Sequence, residues 1–164
     1  MIGSRLPRLE DPALLTGRGR FVDDVAIAET LHAAFVRSPH PHALILAVRT
    51  AAALALPGAF AVLTLDDLAP VMARRRMVRI SNSGTRLDRC WAFALADGEV
   101  SYVGEPVAIV LAVNRYVAED AAALVEVDYE VLPSAGDCRK AALADAAPVR
   151  REVSSNVISS YRLG

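Results

Sequence analysis

The stretch Pro106-Val107-Ala108-Ile109-Val110-Leu111-Ala112-Val113 is the most regular part of the chain, and the other elements can be placed around it. Residues 107–113 are apolar without a break and rich in β-branched side chains, which is typical of a short strand covered on both faces. Pro106 stands at the first position, where a missing N–H does least harm to a sheet. The stretch therefore predicts a central β-strand with other elements packed on both sides.

The residues after this strand predict a helix, another strand and a short last helix. Asn114 is a favourable N-cap for the first of these helices. Within residues 125–131, apolar side chains alternate with Glu and Asp, the period of two that describes a strand with one wet face. Asp137 can cap the last helix, which we expect to run to Leu143.

The residues before the central strand predict a β-α-β arrangement. Residues 31–36 and 43–48 are apolar runs separated by a proline-containing turn, and residues 60–63 form a third short run. Thr50 can cap a short helix that reaches Leu56. These elements and those after the central strand indicate one α+β domain, in which short helices pack on a mixed sheet.

Three segments lack this regular pattern. Residues 1–24 are rich in Arg, Gly, Pro and Asp without a clean period, which indicates an extended N-terminal arm ahead of a domain over residues 25–150. Residues 70–85 lose the apolar period and are expected to form a long surface loop. Residues 151–164 are serine-rich and have no core pattern, which indicates a linker or a cut edge.

Composition and charge exclude several classes of function. The chain has 164 residues, the size of one domain, and no apolar run reaches the roughly 18 to 20 residues that span a bilayer. A net charge of −1 argues against a nucleic-acid partner. The first residues show no charged segment followed by an apolar one, so we expect a cytoplasmic protein without a secretory signal. The apolar fraction of 54% favours a surface that another domain or subunit covers.

The cysteines and histidines offer little for a metal site. Cys90 and Cys138 form no C-x-x-C pair, so neither a zinc site nor a cysteine-ligated iron–sulfur cluster can be built from them. His40 and His42 are two residues apart, so in an extended segment both rings point to one side, a spacing that some metal sites use. The pair also fits a polar turn, and we predict no metal ligand. His32, inside an apolar strand, is expected to be a satisfied buried or edge histidine.

Motifs for hydrolysis and nucleotide binding are missing from the sequence. There is no G-x-S-x-G nucleophile elbow and no Walker phosphate loop. Gly17-Arg18-Gly19-Arg20 contains a G-x-G but lacks the third glycine of the dinucleotide fingerprint. The two arginines could hold a phosphate or a partner's carboxylate, or they could belong to a solvated arm. The run Arg74-Arg75-Arg76 is expected to form a solvated face.

Gly104-Glu105-Pro106, directly before the central strand, is the segment most suggestive of a site. Glycine permits a close backbone approach and proline fixes the strand entry, so the glutamate is held at a defined place. A general-base role for Glu105 is conceivable, but no second titratable group accompanies it, which favours a structural or interface role. We predict no catalytic or cofactor-binding residue, and a candidate partner interface that includes Arg18, Gly19, Arg20, Gly104 and Glu105.

A series of short blocks follows one order along the chain. They are Arg8-Leu9-Glu10-Asp11-Pro12, LTGRGRFVDD at 15–24, LHAAFVRSPH at 31–40, LPG at 56–58, YVGEPVA at 102–108, AEDAA at 118–122 and VEVDYE at 125–130. Together they resemble the N-terminal α/β hammerhead domain of the large subunits of molybdenum hydroxylases, the family of xanthine dehydrogenase, aldehyde oxidase and carbon monoxide dehydrogenase. The resemblance covers nearly the whole chain, and it is strongest toward the bacterial carbon monoxide dehydrogenase-like and aldehyde oxidase-like branch.

The resemblance implies an oxidoreductase whose catalytic residues lie outside this chain. In such an enzyme a molybdopterin cofactor hydroxylates an aldehyde, an N-heterocycle or a similar substrate with water, or oxidises CO. Electrons then leave through iron–sulfur clusters to FAD. The expected partners are the molybdopterin-binding portion of the large subunit, an iron–sulfur subunit and a flavin subunit. This chain is then a structural and assembly domain that binds no cofactor alone. The alternative is a free-standing module that binds a small ligand or partner at Gly104-Glu105 or at the His40–His42 turn.

Overall fold

The computed structural model describes residues 3, 6–25, 27–77 and 92–158. The chain divides into two compact units, an N-terminal unit (Met1–Thr30) and a main unit (Leu31–Gly164). The described helices are α1 (Asp11–Leu15), α2 (Ala51–Leu54), α3 (Leu65–Leu68), α4 (Arg115–Ala123) and α5 (Cys138–Ala141). The described strands are β1 (His32–Arg37), β2 (Ala43–Arg49), β3 (Ala59–Leu63), β4 (Glu99–Val100), β5 (Pro106–Ala112) and β6 (Glu126–Val131).

The N-terminal unit contains helical turns where an extended arm was predicted. Helix α1 begins with Asp11 in its first turn and Pro12 next to it, both of which suit the start of a helix. A 3-10 helix follows at Val22–Asp24. The prediction of an extended arm was therefore wrong over these residues, because a helix of five residues is too short to show an apolar period in the sequence.

Gly17 ends α1 through a C-terminal cap. It adopts φ +67°, and its N–H donates to the carbonyl of Leu14 at 3.2 Å while the N–H of Arg18 donates to the carbonyl of Ala13 at 2.8 Å. These two bonds form a Schellman motif, which requires the left-handed conformation that glycine adopts without strain. The first glycine of the G-x-G thus has a local structural role.

The strands of the main unit form two three-stranded sheets. In one sheet β5 lies between β1 and β3, and in the other β2 lies between β4 and β6, with each pair antiparallel. Ala43 of β2 pairs with Val100 on one side and with Val131 on the other. The predicted α+β class, with short helices packed on sheet, is confirmed.

Strand β5 is covered on both faces, as the sequence predicted. Val110 packs in a buried cluster with Ala53 of α2, Ala121 of α4 and Val125. Val107, which points to the opposite face, packs with Ala43, Ala96 and Val100, so it joins β5 to the second sheet. A third buried cluster contains Leu65, Phe93 and Leu95, with Ile109 of β5 packed against it. These clusters place β5 between both layers of the core.

The predicted helix starts are largely confirmed. Asn114 caps α4 by accepting a hydrogen bond from the N–H of Val117 at 2.9 Å, and Asp137 caps α5 in the same manner. Helix α2 follows Thr50, but the Thr50 side chain makes no capping hydrogen bond. It ends at Leu54 with Ala55 as its C-cap, earlier than the predicted Leu56. Leu56 directly precedes Pro57, and a residue before proline disfavours the helical region.

The predicted surface loop at 70–85 is partly structured. Ala69–Val71 is a 3-10 helix, and Arg76 forms an isolated β-bridge with Phe93. Residues 78–85 lie outside the described part of the chain.

Upstream of the loop, hydrogen bonds from the N–H and hydroxyl of Thr64 hold the pKa of Asp67 below its usual value. In the ranges that the structure describes, no helix is both long and apolar enough to cross a membrane.

The two N-cap positions permit a matched test of the fold. Replacing Asn114 with Ala removes the acceptor for the Val117 N–H and should lower the free energy of unfolding by about 1 kcal/mol. Thr50→Ala is the control, since its side chain makes no capping bond, and we expect a smaller effect. Urea unfolding of the two variants measures both values. Equal losses would contradict the capping geometry.

Candidate functional site

Two segments that the sequence indicated as candidate sites, the histidine-containing turn and the glycine–glutamate loop, lie at one end of the main unit. The turn at residues 38–42, between β1 and β2, lies against the loop at residues 101–105, between β4 and β5. The N–H of Ser38 donates to the carbonyl of Glu105 at 3.0 Å, and the N–H of Gly104 donates to the carbonyl of Ser38 at 2.8 Å. The Arg37 guanidinium donates to the carbonyl of Gly104 at 2.8 Å. The backbone of the 101–105 loop is therefore fixed against the 38–42 turn.

Glu105 lies inside the main unit, with only 1% of its surface exposed. One carboxylate oxygen accepts a hydrogen bond from Arg150 Nη2 at 3.0 Å, and the other accepts from the N–H of Ser101. Arg150 is itself 6% exposed, so the two charges form a buried ion pair. A carboxylate enclosed in this way has no approach for a substrate, which supports the structural role over the general-base role.

The ring of Phe93 provides a second contact between Arg150 and the core. The guanidinium of Arg150 lies 5.3 Å from the centroid of the Phe93 ring, and that of Arg76 lies 4.4 Å from it. Cation–π contacts of this kind are favourable within about 6 Å of the ring. Arg76 also forms an ion pair with Glu152. The side chains of Arg150 and Glu152 thus attach residues 150–152 to the core.

Glu99 is a second buried carboxylate at this end. It accepts a hydrogen bond from the Arg151 N–H at 3.0 Å, and it lies 2.7 Å from His42 Nε2. His42 Nδ1 lies 2.6 Å from the carbonyl oxygen of Pro133. Both ring nitrogens therefore lie within hydrogen-bonding distance of oxygen atoms of the chain. Since His42 is also buried, neither nitrogen is open to a metal ion.

The remaining candidate ligands are not brought together. His40 packs its ring edge-on against Tyr129, with 5.0 Å between the ring centroids, and burial raises the pKa of the Tyr129 phenol. Because residues 39–42 form bends and not extended strand, His40 and His42 do not share one environment. His32 is exposed on the edge strand β1, and Cys138 is an exposed free cysteine. Within the described residues no three His, Cys, Asp or Glu side chains could hold a metal ion, while Cys90 lies outside them.

The other predicted interface residues belong to the N-terminal unit. Arg18 and Arg20 are exposed, and Arg18 Nε donates to the Thr16 hydroxyl at 3.1 Å. A Cβ atom at Gly19 would lie 2.6 Å from Leu14 Cδ2, the far end of an exposed side chain that can shift to relieve the contact. Arg18 and Arg20 present their charges at the surface.

The apolar tip of the 101–105 loop borders a small cleft. Tyr102 is 47% exposed and Val103 is 63% exposed. The cleft has a volume of about 180 Å³ and is lined by Pro41, His42, Ser101, Tyr102, Val103, Ser134, Ala135, Gly136 and Val149. The described lining carries no Asp, Glu, Lys or Arg side chain, and the ring of His42 is engaged in contacts with Glu99 and Pro133. The cleft is suited to an uncharged group.

Sequence reasoning missed Glu99, Arg150 and Arg151. The Arg150–Glu105 bond joins residues 45 positions apart, and the His42–Glu99 bond joins residues 57 apart. No local period or motif marks such a pair. The one available signal was a run of three charged residues at 150–152 directly before a serine-rich stretch.

The buried ion pair permits a double-mutant test. Arg150→Met leaves the Glu105 carboxylate buried and unpaired, which should lower the free energy of unfolding by about 3–5 kcal/mol. Adding Glu105→Gln removes the uncompensated charge and should recover part of this loss. Arg49→Met is the control, because Arg49 pairs with Glu126 and Asp128 at an exposed site, where ion pairs contribute little. Additive losses in urea unfolding would contradict a coupled pair.

Comparison with known proteins relates this arrangement to large enzyme chains. The chain is 39% identical to the carbon monoxide dehydrogenase large chain of Afipia carboxidovorans over 98% of its own length and 19% of that protein's. It is 41% identical to the nicotine 6-hydroxylase large subunit of Paenarthrobacter nicotinovorans over 85% of its length and 17% of the relative's. It thus spans about one fifth of the length of these relatives.

Solved structures and family membership agree with these relatives. A crystal structure of the Cu,Mo-CO dehydrogenase superposes with a TM-score of 0.75 at 38% identity, covering 98% of this chain and 19% of that one. Residues 16–133 match the family described as "Aldehyde oxidase and xanthine dehydrogenase, a/b hammerhead domain". The matched residues include both sheets and the 101–105 loop. The chain therefore belongs to the a/b hammerhead domain family of aldehyde oxidase and xanthine dehydrogenase.

Proposed function

We propose that this chain is the hammerhead portion of the large subunit of a molybdenum-pterin-dependent oxidoreductase, and that it acts in structure and assembly. The observation that carries this proposal is that the buried ionisable side chains of the chain pair with one another. Glu105 is paired with Arg150, and Glu99 with His42. The side chains best suited to acid–base chemistry are thus occupied in holding the fold, so the chemistry belongs to another part of the enzyme.

The relatives support a role that does not select the substrate. The carbon monoxide dehydrogenase large chain and the nicotine 6-hydroxylase large subunit are 39% and 41% identical to this chain, although their names give chemically unlike substrates. A region so similar in both is a poor candidate for substrate recognition. Our proposal covers the hydroxylation of an aldehyde, an N-heterocycle or a similar substrate with water, or the oxidation of CO.

The proposal places the cofactors outside this chain. Glu99, Glu105, His42 and Arg150 are engaged with one another or with backbone, so these side chains are not free to hold a molybdopterin cofactor. We assign that cofactor to the remaining portion of the large subunit, and iron–sulfur clusters and FAD to partner subunits. A cytoplasmic location belongs to the same proposal.

The predicted interface fits this role in two ways. Arg18 and Arg20 have exposed guanidinium groups that can bind a partner's carboxylates, and Gly19 lies between them. Gly104 and Glu105 would act indirectly, because they hold the exposed tip of the 101–105 loop in place. We therefore propose that the two arginines contact a partner directly and that Glu105 supports a contact surface from inside.

Reconstitution with a truncated relative tests the proposed function. The chain is expressed together with the Afipia carboxidovorans carbon monoxide dehydrogenase large chain from which the region matching it has been removed. We expect the two to co-elute in size-exclusion chromatography, with molybdenum found by elemental analysis in the complex and not in the isolated chain. An unrelated domain of similar size is the control. A chain that elutes alone, or that binds molybdenum alone, would argue against the proposal.

A further inference from the structure

We propose that Tyr102, Val103, Pro41 and Val149 form a docking surface, here called the loop surface, for the remaining portion of the large subunit. One apolar side chain of that portion would enter the cleft of about 180 Å³ that these residues border. The proposal rests on the proposed function and adds to it the place of contact. The contact is mainly apolar and involves residues other than Arg18 and Arg20.

The exposure and size of the cleft favour a side chain as its occupant. Tyr102, Val103 and Val149 are 47%, 63% and 39% exposed, so three large apolar groups stand around one concave site. Sites for small molecules usually have volumes of roughly 300 Å³ or more. A cleft of about 180 Å³ is small for a cofactor or metabolite and suits one aliphatic or aromatic side chain. The lining has no free charge that would bind an ionic ligand.

Hydrogen bonds with neighbouring side chains fix the backbone of the loop that carries Tyr102 and Val103. Glu105 binds the Ser101 N–H at one end of the loop and pairs with Arg150, and Arg37 binds the Gly104 carbonyl at the other end. Burying an ion pair carries a desolvation penalty, so such a pair is weak evidence for stability and is better explained by the conformation it fixes. A surface fixed before binding loses less conformational entropy on docking. The ion pair therefore presents Tyr102 and Val103 in one arrangement.

The relatives indicate which polypeptide covers the surface. In them the region similar to this chain is 17–19% of a much longer large chain, so most of the polypeptide available to cover it belongs to the same subunit. Permanent interfaces of this type have apolar cores, whereas surfaces that face solvent rarely group large apolar side chains. A concave surface with three exposed large apolar side chains, and with no Asp, Glu, Lys or Arg in its described lining, fits such a permanent contact.

Substitutions at two equally exposed residues test the loop surface. Val103 and Leu46 are both 63% exposed, and Leu46 lies on β2, away from the cleft lining. Binding of the truncated Afipia carboxidovorans large chain is measured by calorimetry for the unchanged chain, Val103→Asp and Leu46→Asp. We expect Val103→Asp to raise Kd by at least about tenfold, because it buries a charge at an apolar contact, and Leu46→Asp to leave Kd within about twofold.

The outcomes separate this inference from the proposed function. If the unchanged chain does not bind, the proposed function is rejected, and with it the docking partner named here. If the unchanged chain and Val103→Asp bind equally, the loop surface alone is rejected. Thermal unfolding of each variant checks that neither substitution unfolds the chain. Sedimentation analysis of the isolated chain adds a further check, since a dimer abolished by Val103→Asp would identify a second copy as the occupant and overturn the proposal.

Discussion

Strand β5 must be covered on both faces, so the chain has to supply apolar side chains on two sides of a single strand. Helices α2 and α4 cover one face around Val110, and the second sheet covers the other through Val107. Because antiparallel neighbours occupy both edges of β5, its backbone is also paired on both sides. Because β5 is paired on both edges and covered on both faces, the loop that precedes it is joined to a well-fixed strand. The position of Glu105 follows from this constraint.

The interior beside this loop is unusual because charged groups meet there. Two carboxylates, an imidazole and a guanidinium are each at least nine-tenths buried, and each is bonded to another of these groups. Such an arrangement resembles a catalytic constellation in composition. The hydrogen bonds described for these four groups join them to one another or to the backbone of the chain. Our proposal therefore assigns the cluster to the polar core of the fold.

Local signals in the sequence predicted much of the fold. The apolar run of β5, the alternation in β6 and the Asn114 cap each depend on residues near one another in the chain, and each was confirmed. The α1 helix was missed because it is too short to have a visible period. The partners of Glu105 and His42 were missed for another reason, since they come from residues far away in sequence. Glu105 itself was recognised because glycine and proline flank it.

The contacts of Arg150 and Arg151 bear on how this module could be exchanged between proteins. The family match ends at residue 133, yet the groups that neutralise or bind Glu105 and Glu99 stand at 150 and 151. A gene fusion or circular permutation that cut the chain at the end of the shared pattern would leave both carboxylates inside the protein without these partners. The residues that match the domain description and the residues that pair with the buried carboxylates therefore have different boundaries. Recombination that preserves the module has to carry along a segment that lies beyond residue 133.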